Sequence, residues 1–194
     1  MAGVELVWFS EGGMIYSVMH PLSRGTITTT SSSLLAGIPA VNTRYLAHPL
    51  DTRISIEAFK YTRKIVATDE MRELGLEELF PGPGVSSDEQ IEGVIREGPT
   101  YMYHMTGTCS MMKRELGGVV DGELRVYGVR NLRVVDASVQ PLIPAAHVQS
   151  TVYAVAEKVS FLSMLGGVAC ANVVVTGSGF DQGWECMAGV KGDV

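Results

Sequence analysis

Four histidines, His20, His48, His104 and His147, are the side chains of this chain best suited to proton chemistry. Imidazole ordinarily titrates near neutrality, so it can accept a proton and return it at working pH. A lone histidine is more often a structural or surface residue, and that is the expectation for His20 and His48. Three cysteines, Cys109, Cys170 and Cys186, are an odd number at unrelated spacings. They fit neither a zinc site nor a disulfide framework and read as free or buried thiols, so no metal is expected. The methionine cluster Met102, Met105, Met111 and Met112 reads as adaptable packing.

These residues need elements to position them. Residues 14–31 carry two β-branched and aromatic runs around Pro21-Leu22-Ser23-Arg24-Gly25, the composition of strands joined by a turn. Asp51 stands before an apolar stripe of Ile54, Ala58, Tyr61 and Ile65, which predicts a helix over about 51–67 with Asp51 as its N-cap. After Pro81-Gly82-Pro83-Gly84, Ser87 and Gln90 form a capping box in front of Ile91, Val94 and Ile95. From Tyr101 to Val135 turn residues alternate with short apolar runs, a texture of strands and close loops. Val148, Val152, Val155, Val159 and Leu162 then recur on one helical face, and Gly166-Gly167 ends the helix. The fold class expected is α+β, helices packed on a mostly antiparallel sheet.

The stretch from Tyr103 to Ser160 carries a denser signal. His104, Gly107-Thr108, Met111-Met112, Gly118 to Asp121, Leu124 to Val126, Val129 to Ser138 and His147 follow one another in a fixed order. This order resembles the C-terminal signature of the glucose–methanol–choline (GMC) flavin oxidoreductases. Residues 20–31 and 44–53 resemble the substrate-domain strand pair and the turn into a helix of the same family. The resemblance covers roughly residues 14–162. It implies a GMC C-terminal domain over 1–165, treated as one unit, with 166–194 as a Gly-rich tail.

The resemblance also implies roles. The position of His104 is that of the base that takes the alcohol proton while hydride moves to the flavin, and the position of His147 binds the same oxygen. Asp136, Ala137 and Val148 match positions along the flavin, where a helix N-terminus offers its positive end. Against this, the strand, Gly-x-Gly-x-x-Gly turn and helix that open such enzymes do not precede residue 14. The run Val173 to Gly179 imitates that turn, but its third glycine, Gly183, comes one residue late and too little chain follows for a βαβ unit. No FAD is therefore expected on this chain by itself. FAD enters only if a separate chain supplies the flavin domain.

Three functions follow as expectations: a flavin-independent acid–base enzyme carrying out dehydration, isomerisation or cyclisation on a small hydroxyl- or carbonyl-bearing substrate; one half of a split FAD-dependent alcohol oxidoreductase; and a non-catalytic fragment. Apolar surface left without its flavin-domain partner predicts a homo-oligomer or a flavin-domain partner. Fifteen Lys and Arg against 21 Asp and Glu, a formal charge of −6, leave nucleic-acid binding without its electrostatic footprint. No stretch approaches the roughly 20 apolar residues of a membrane span, and the N-terminus lacks a signal-peptide pattern, so a cytoplasmic location is expected.

Overall fold

The computed structural model describes residues 3–9, 13–33, 37–98, 102–166 and 173–174. The chain divides into two compact units, Met1–Met102 and Tyr103–Val194. The dividing point falls at the start of the histidine-bearing segment; most of the Gly-rich tail read as 166–194 lies outside the described residues.

In the first unit, β1 (Val4–Trp8) pairs antiparallel with β2 (Met14–Val18) in the register Val4↔Val18 to Trp8↔Met14. Both runs are rich in β-branched and aromatic residues, the side chains that pack on a pleated surface. The strand pairing differs from the one predicted around residues 21–25. β2 finds its partner upstream in β1, while β3 (Thr26–Thr28) pairs with β4 (Ala40–Asn42). The intervening turn is instead held by a helix. Leu22 and Ser23 donate their backbone N–H groups to the carboxylate of Asp51 at 2.9 and 2.6 Å, and the Ser23 hydroxyl adds a third donor at 2.6 Å.

Asp51 therefore does not cap α1 (Pro49–Val66). His48 does, its Nδ1 accepting from Leu50 N–H at 3.2 Å, with Pro49 at the first helical position where a missing N–H costs nothing. Asp51 lies inside the first turn, 2 % exposed. The buried face of α1 is Asp51, Thr52, Ser55, Ile56 and Ala58, and it faces β2 and α3. Tyr61, expected on that face, is exposed. A short α2 (Asp69–Glu73) follows. The loop after it is organised by Arg63, which bonds Glu78 at 2.6 and 2.9 Å and the carbonyls of Gly82 and Val85. α3 (Asp88–Glu97) opens with the predicted Ser87–Gln90 capping box and buries Ile91.

The second unit is wound rather than layered. Residues 103–135 form turns with isolated bridges, Met111↔Val120, Val120↔Val126 and Arg125↔Arg133, and close on β5 (Arg133–Val134). α4 (Gln149–Gly166) crosses over, and β6 (Val173–Val174) pairs parallel with β5. The core is Val120, Leu124, Val139 and Val159, with Met111, Val126, Val134, Val135 and Val155 against it. The stripe read from the sequence holds. Val148, Val152, Val155, Val159 and Leu162 are buried or half-buried, and their helical neighbours are mostly exposed. The α+β class is thus observed, its sheet divided among the described residues into three two-stranded pieces.

Candidate active site

The site is built from two segments of the second unit. The first carries His104 and is fixed by a ladder: Gly107 and Cys109 both donate to the carbonyl of Ser138, at 3.1 and 3.0 Å, and Met111 donates to Val139 at 2.8 Å. Gly107, at a φ of 91°, turns the chain into this ladder, and its carbonyl accepts from the Ser110 hydroxyl at 2.6 Å. The second segment enters α4. His147 adopts a φ of 61°, the left-handed region that side-chain-bearing residues seldom occupy, though histidine does so more readily than most. Helical bonding begins at once, with Val152 donating to Val148 at 3.0 Å.

These two turns place the imidazoles in contact. Nε2 of His104 and Nδ1 of His147 are 2.6 Å apart, with ring centroids separated by 4.9 Å and planes at 81°. At that distance one nitrogen carries the proton and the other accepts it, so the pair shares one proton along that line. Nδ1 of His104 is buried with no protein partner. A left-handed residue held at such a contact is strain maintained by its surroundings, the pattern of a positioned functional group. Tyr103, immediately before His104, is also left-handed, at 55°.

Asp136 and Ala137 lie near this arrangement in the chain but act on its frame. Asp136 is buried, and its carboxylate accepts from the Ser138 backbone at 2.8 Å and from the Ser138 hydroxyl. It caps the short 3-10 turn Ala137–Val139, whose Ser138 and Val139 carbonyls hold the His104 segment. Val148 is half-buried at the entry to α4. Ser138 and Gly107, which sequence reasoning gave no separate role, are the residues that fix the approach of His104. Their signal was present only as members of the ordered motif.

His20 lies in the bend two residues after β2 and His48 caps α1, both in the first unit and outside this pair. Cys109 is a free, half-buried thiol, while Cys170 and Cys186 lie outside the described residues. Among the described residues no cluster of three or more His, Cys, Asp or Glu is placed to hold a metal ion. No helix there is long and apolar enough to cross a membrane.

The comparisons place this architecture. A family model described as GMC oxidoreductase, for the C-terminal part, matches residues 21–156. The chain belongs to the GMC oxidoreductase family and corresponds to the C-terminal part of its members. Dehydrogenase pkfF of Emericella nidulans is 40% identical over 156 residues, covering 80% of this chain and 25% of that protein. A fungal aryl-alcohol oxidase structure matches with a TM-score of 0.74 at 32% identity, covering 86% of this chain and 28% of the other. An FAD-dependent oxidoreductase from Chaetomium thermophilum matches with a TM-score of 0.71 at 34% identity, over 80% of this chain and 27% of that one. The chain thus spans about a quarter of the length of the relatives it matches.

Among the described residues no strand, Gly-x-Gly turn and helix, the unit that cradles the phosphates of a flavin dinucleotide, follow one another. The run Val173 to Gly179 is described only at Val173–Val174, where it forms β6; the glycines lie outside the described residues. The described residues do not by themselves fit the phosphate end of the cofactor.

Proposed function

We propose that His104 and His147 are an acid–base pair acting on the hydroxyl or carbonyl oxygen of a small substrate. The single observation that carries this reading is the 2.6 Å contact between Nε2 of His104 and Nδ1 of His147, made by a residue held in the left-handed region. Two imidazoles sharing one proton form a unit in which one ring donates as the other stands ready to accept. A substrate hydroxyl inserted between them replaces that contact, taking a hydrogen bond from the ring whose facing nitrogen carries the proton and giving its own proton to the other, whereas a carbonyl oxygen only accepts from the first ring. Acting alone, the pair moves protons only. The reaction classes open to it are dehydration, isomerisation and ring closure, each aided by a general acid–base contribution of about 10²–10⁴ in rate.

A second reading is favoured by the chain's share of its relatives, about a quarter, and by their printed activities of dehydrogenase and oxidase. Here the pair serves an alcohol oxidation whose flavin is held by another segment or chain. The flavin, when bound, supplies the hydride acceptor. The residues of this chain hold the alcohol oxygen and remove its proton.

The test uses the chain with two probes. The first is α-hydroxyacetophenone in D₂O without FAD, followed by NMR for deuterium uptake at the carbinol carbon. Uptake that falls at least ~10²-fold in His104→Ala supports proton chemistry by the pair. The second is 4-methoxybenzyl alcohol with an FAD-loaded GMC flavin domain supplied as a separate chain, under anaerobic conditions, followed by loss of the oxidised-flavin absorbance. Bleaching that requires this chain as well as the flavin domain, with no deuterium uptake by this chain alone, favours the second reading. Uptake and bleaching both unchanged in a variant lacking both imidazoles remove the pair from either mechanism.

A further inference from the structure

Leu79 and Phe80 are 91 % and 80 % exposed, and Leu74, shortly before them, is exposed as well. The main chain holds them there. Glu78 accepts from the Arg63 guanidinium at 2.6 and 2.9 Å and from Gly82 N–H at 3.2 Å, and Arg63 also donates to the carbonyl of Gly82 at 2.9 Å. The guanidinium in turn lies over the ring of Phe59 at 4.5 Å. Leu79 and Phe80 therefore project from a short span fixed at both ends, and a partner that covers them has little freedom left to remove. The segment around this tip is acidic. From Asp69 to Phe80 the carboxylates of Asp69, Glu70, Glu73, Glu77 and Glu78 face one cation, Arg72. Arg72 pairs with Asp69 and Glu78 with Arg63. That leaves Glu70, Glu73 and Glu77 exposed and without an ion pair among the described residues.

Another side of α1 has the opposite character. Val4 and Leu6 of β1 and Leu50, Ile54 and Ala58 of α1 wall an apolar groove of about 520 Å³. Three cations also line it, Arg53, Lys60 and Lys64, against one carboxylate, Glu57. Lys60 pairs with Glu57 at 3.0 Å and with Asp88 at 2.6 Å, so it brings no surplus charge. Arg53 and Lys64 are exposed and make no ion pair among the described residues. Eleven positions is about three helical turns, so the two stand on one side of α1, about 16 Å apart. An apolar groove between two unpaired cations complements an apolar tip set among unpaired carboxylates. At about 3.6 residues per turn, Phe59 and Arg63, which carry the tip, fall on the side of α1 away from the groove. A chain cannot place its tip in its own groove.

We propose that the Leu79 and Phe80 tip of one chain docks in the groove between β1 and α1 of a second copy. The two apolar side chains fill the groove, and the carboxylates beside them meet Arg53 and Lys64. Tip and groove are different surfaces, so the contact is head-to-tail, and each added chain presents a fresh tip and a fresh groove. Neither surface includes His104 or His147. The contact thus stands or falls separately from the acid–base reading.

The experiment is sedimentation equilibrium of the full chain carrying Tyr153→Ser and Phe161→Ser, which take the exposed aromatics of α4 out of the measurement. The expected result is a mass that rises with concentration past that of a dimer, at a Kd on the order of 100 µM per contact, as suits a small interface. Raising NaCl from about 0.05 to 0.5 M should weaken it, because exposed charges are screened. Arg53→Glu with Lys64→Glu reverses the groove, and Leu79→Ser with Phe80→Ser strips the tip. All four positions are exposed, so thermal melts should not move. Each variant should self-associate at least ~10-fold more weakly, and either carries the test if the other fails to fold. Mixed together, the two variants hold one intact tip and one intact groove between them, so they should form a heterodimer and grow no further. A parent chain that stays monomeric up to several times that Kd, undiminished association in either variant, or a mixture that forms no heterodimer overturns the proposal. Loss in the tip variant alone counts among these, since it assigns the tip to another occupant.

Discussion

His147 places Nδ1 2.6 Å from Nε2 of His104 through a backbone φ of 61°, so the imidazole contact and the backbone strain belong to one residue. This separates two kinds of substitution. His147→Ala removes the ring and leaves a residue less suited to the left-handed region. His147→Asn removes the ring but keeps a hydrogen-bonding side chain on a residue that adopts this region readily. We expect His104→Ala to lower turnover by ~10²-fold or more, and His147→Asn to retain more activity than His147→Ala. Steady-state rates, paired with thermal melts to show that all three fold, check this. An asparagine variant no better than alanine argues that position 147 contributes proton transfer alone.

Gly118 tests the motif from its structural side. A Cβ built there would lie 2.0 Å from the carbonyl oxygen of Met112 and 2.9 Å from that of Lys113, both backbone atoms that cannot swing aside. Gly118→Ala must therefore push the 112–113 main chain away from the turn that leads to Val120, a core residue with no exposed surface. We expect a loss of at least ~2 kcal/mol in chemical denaturation. A variant as stable as the wild type would show that this turn yields freely.

The legible parts of the fold are those whose chemistry is local. The capping box of α3 needs only Ser87 and Gln90, three residues apart, and the α4 stripe needs only its own period. The pairing of β2 was not legible, because turn residues at 21–25 indicate that the chain bends and do not specify which strand it meets. Val4, Leu6 and Trp8 alternate with other residues and carried a signal for β1 that the reading did not use. Asp51 was misassigned as a cap because an acidic residue ahead of an apolar stripe fits either role. The choice is made by Pro49, which starts the helix earlier, and by Leu22 and Ser23, 29 and 28 residues away. At the candidate site the two histidines were legible as members of an ordered motif. The left-handed turn at His147 and the ladder from Gly107 to Ser138 were not, since they depend on contacts between distant positions.

Exposed apolar side chains on α4 bear on assembly. Tyr153 and Phe161 are 65 % and 60 % exposed, and they stand eight positions apart, close to one side of the helix. Aromatic surface of this kind is covered in many proteins by association. We expect sedimentation velocity at micromolar concentration to give a species heavier than one chain, and a Tyr153→Ser, Phe161→Ser double variant to shift it toward the monomer. A monomeric wild type would count against self-association through this face.

The last prediction concerns acid stability. Burial alone would raise the Asp51 carboxyl, but the N–H groups of Leu22 and Ser23, the Ser23 hydroxyl and the nearby His48 more than offset it, and the group is held below its ordinary value. A carboxyl depressed in the folded state contributes stability that is fully present above its unfolded value of about 3.9 and is lost as pH falls through the folded value. The loss should therefore begin below about pH 5 and continue into the acid range. Asp51→Asn supplies one acceptor where the native site has two, and it turns an NH₂ group toward donors, so ~1–3 kcal/mol should already be lost at pH 7. Because the asparagine does not titrate, the gap between wild type and variant should narrow as pH falls, while other carboxylates, Asp121 among them, act on both alike. Urea midpoints from pH 7 to pH 2.5 measure that gap directly. A gap constant across the range would mean that the carboxylate at position 51 keeps its charge through the acid transition, or that its bonds to Leu22 and Ser23 contribute nothing to stability.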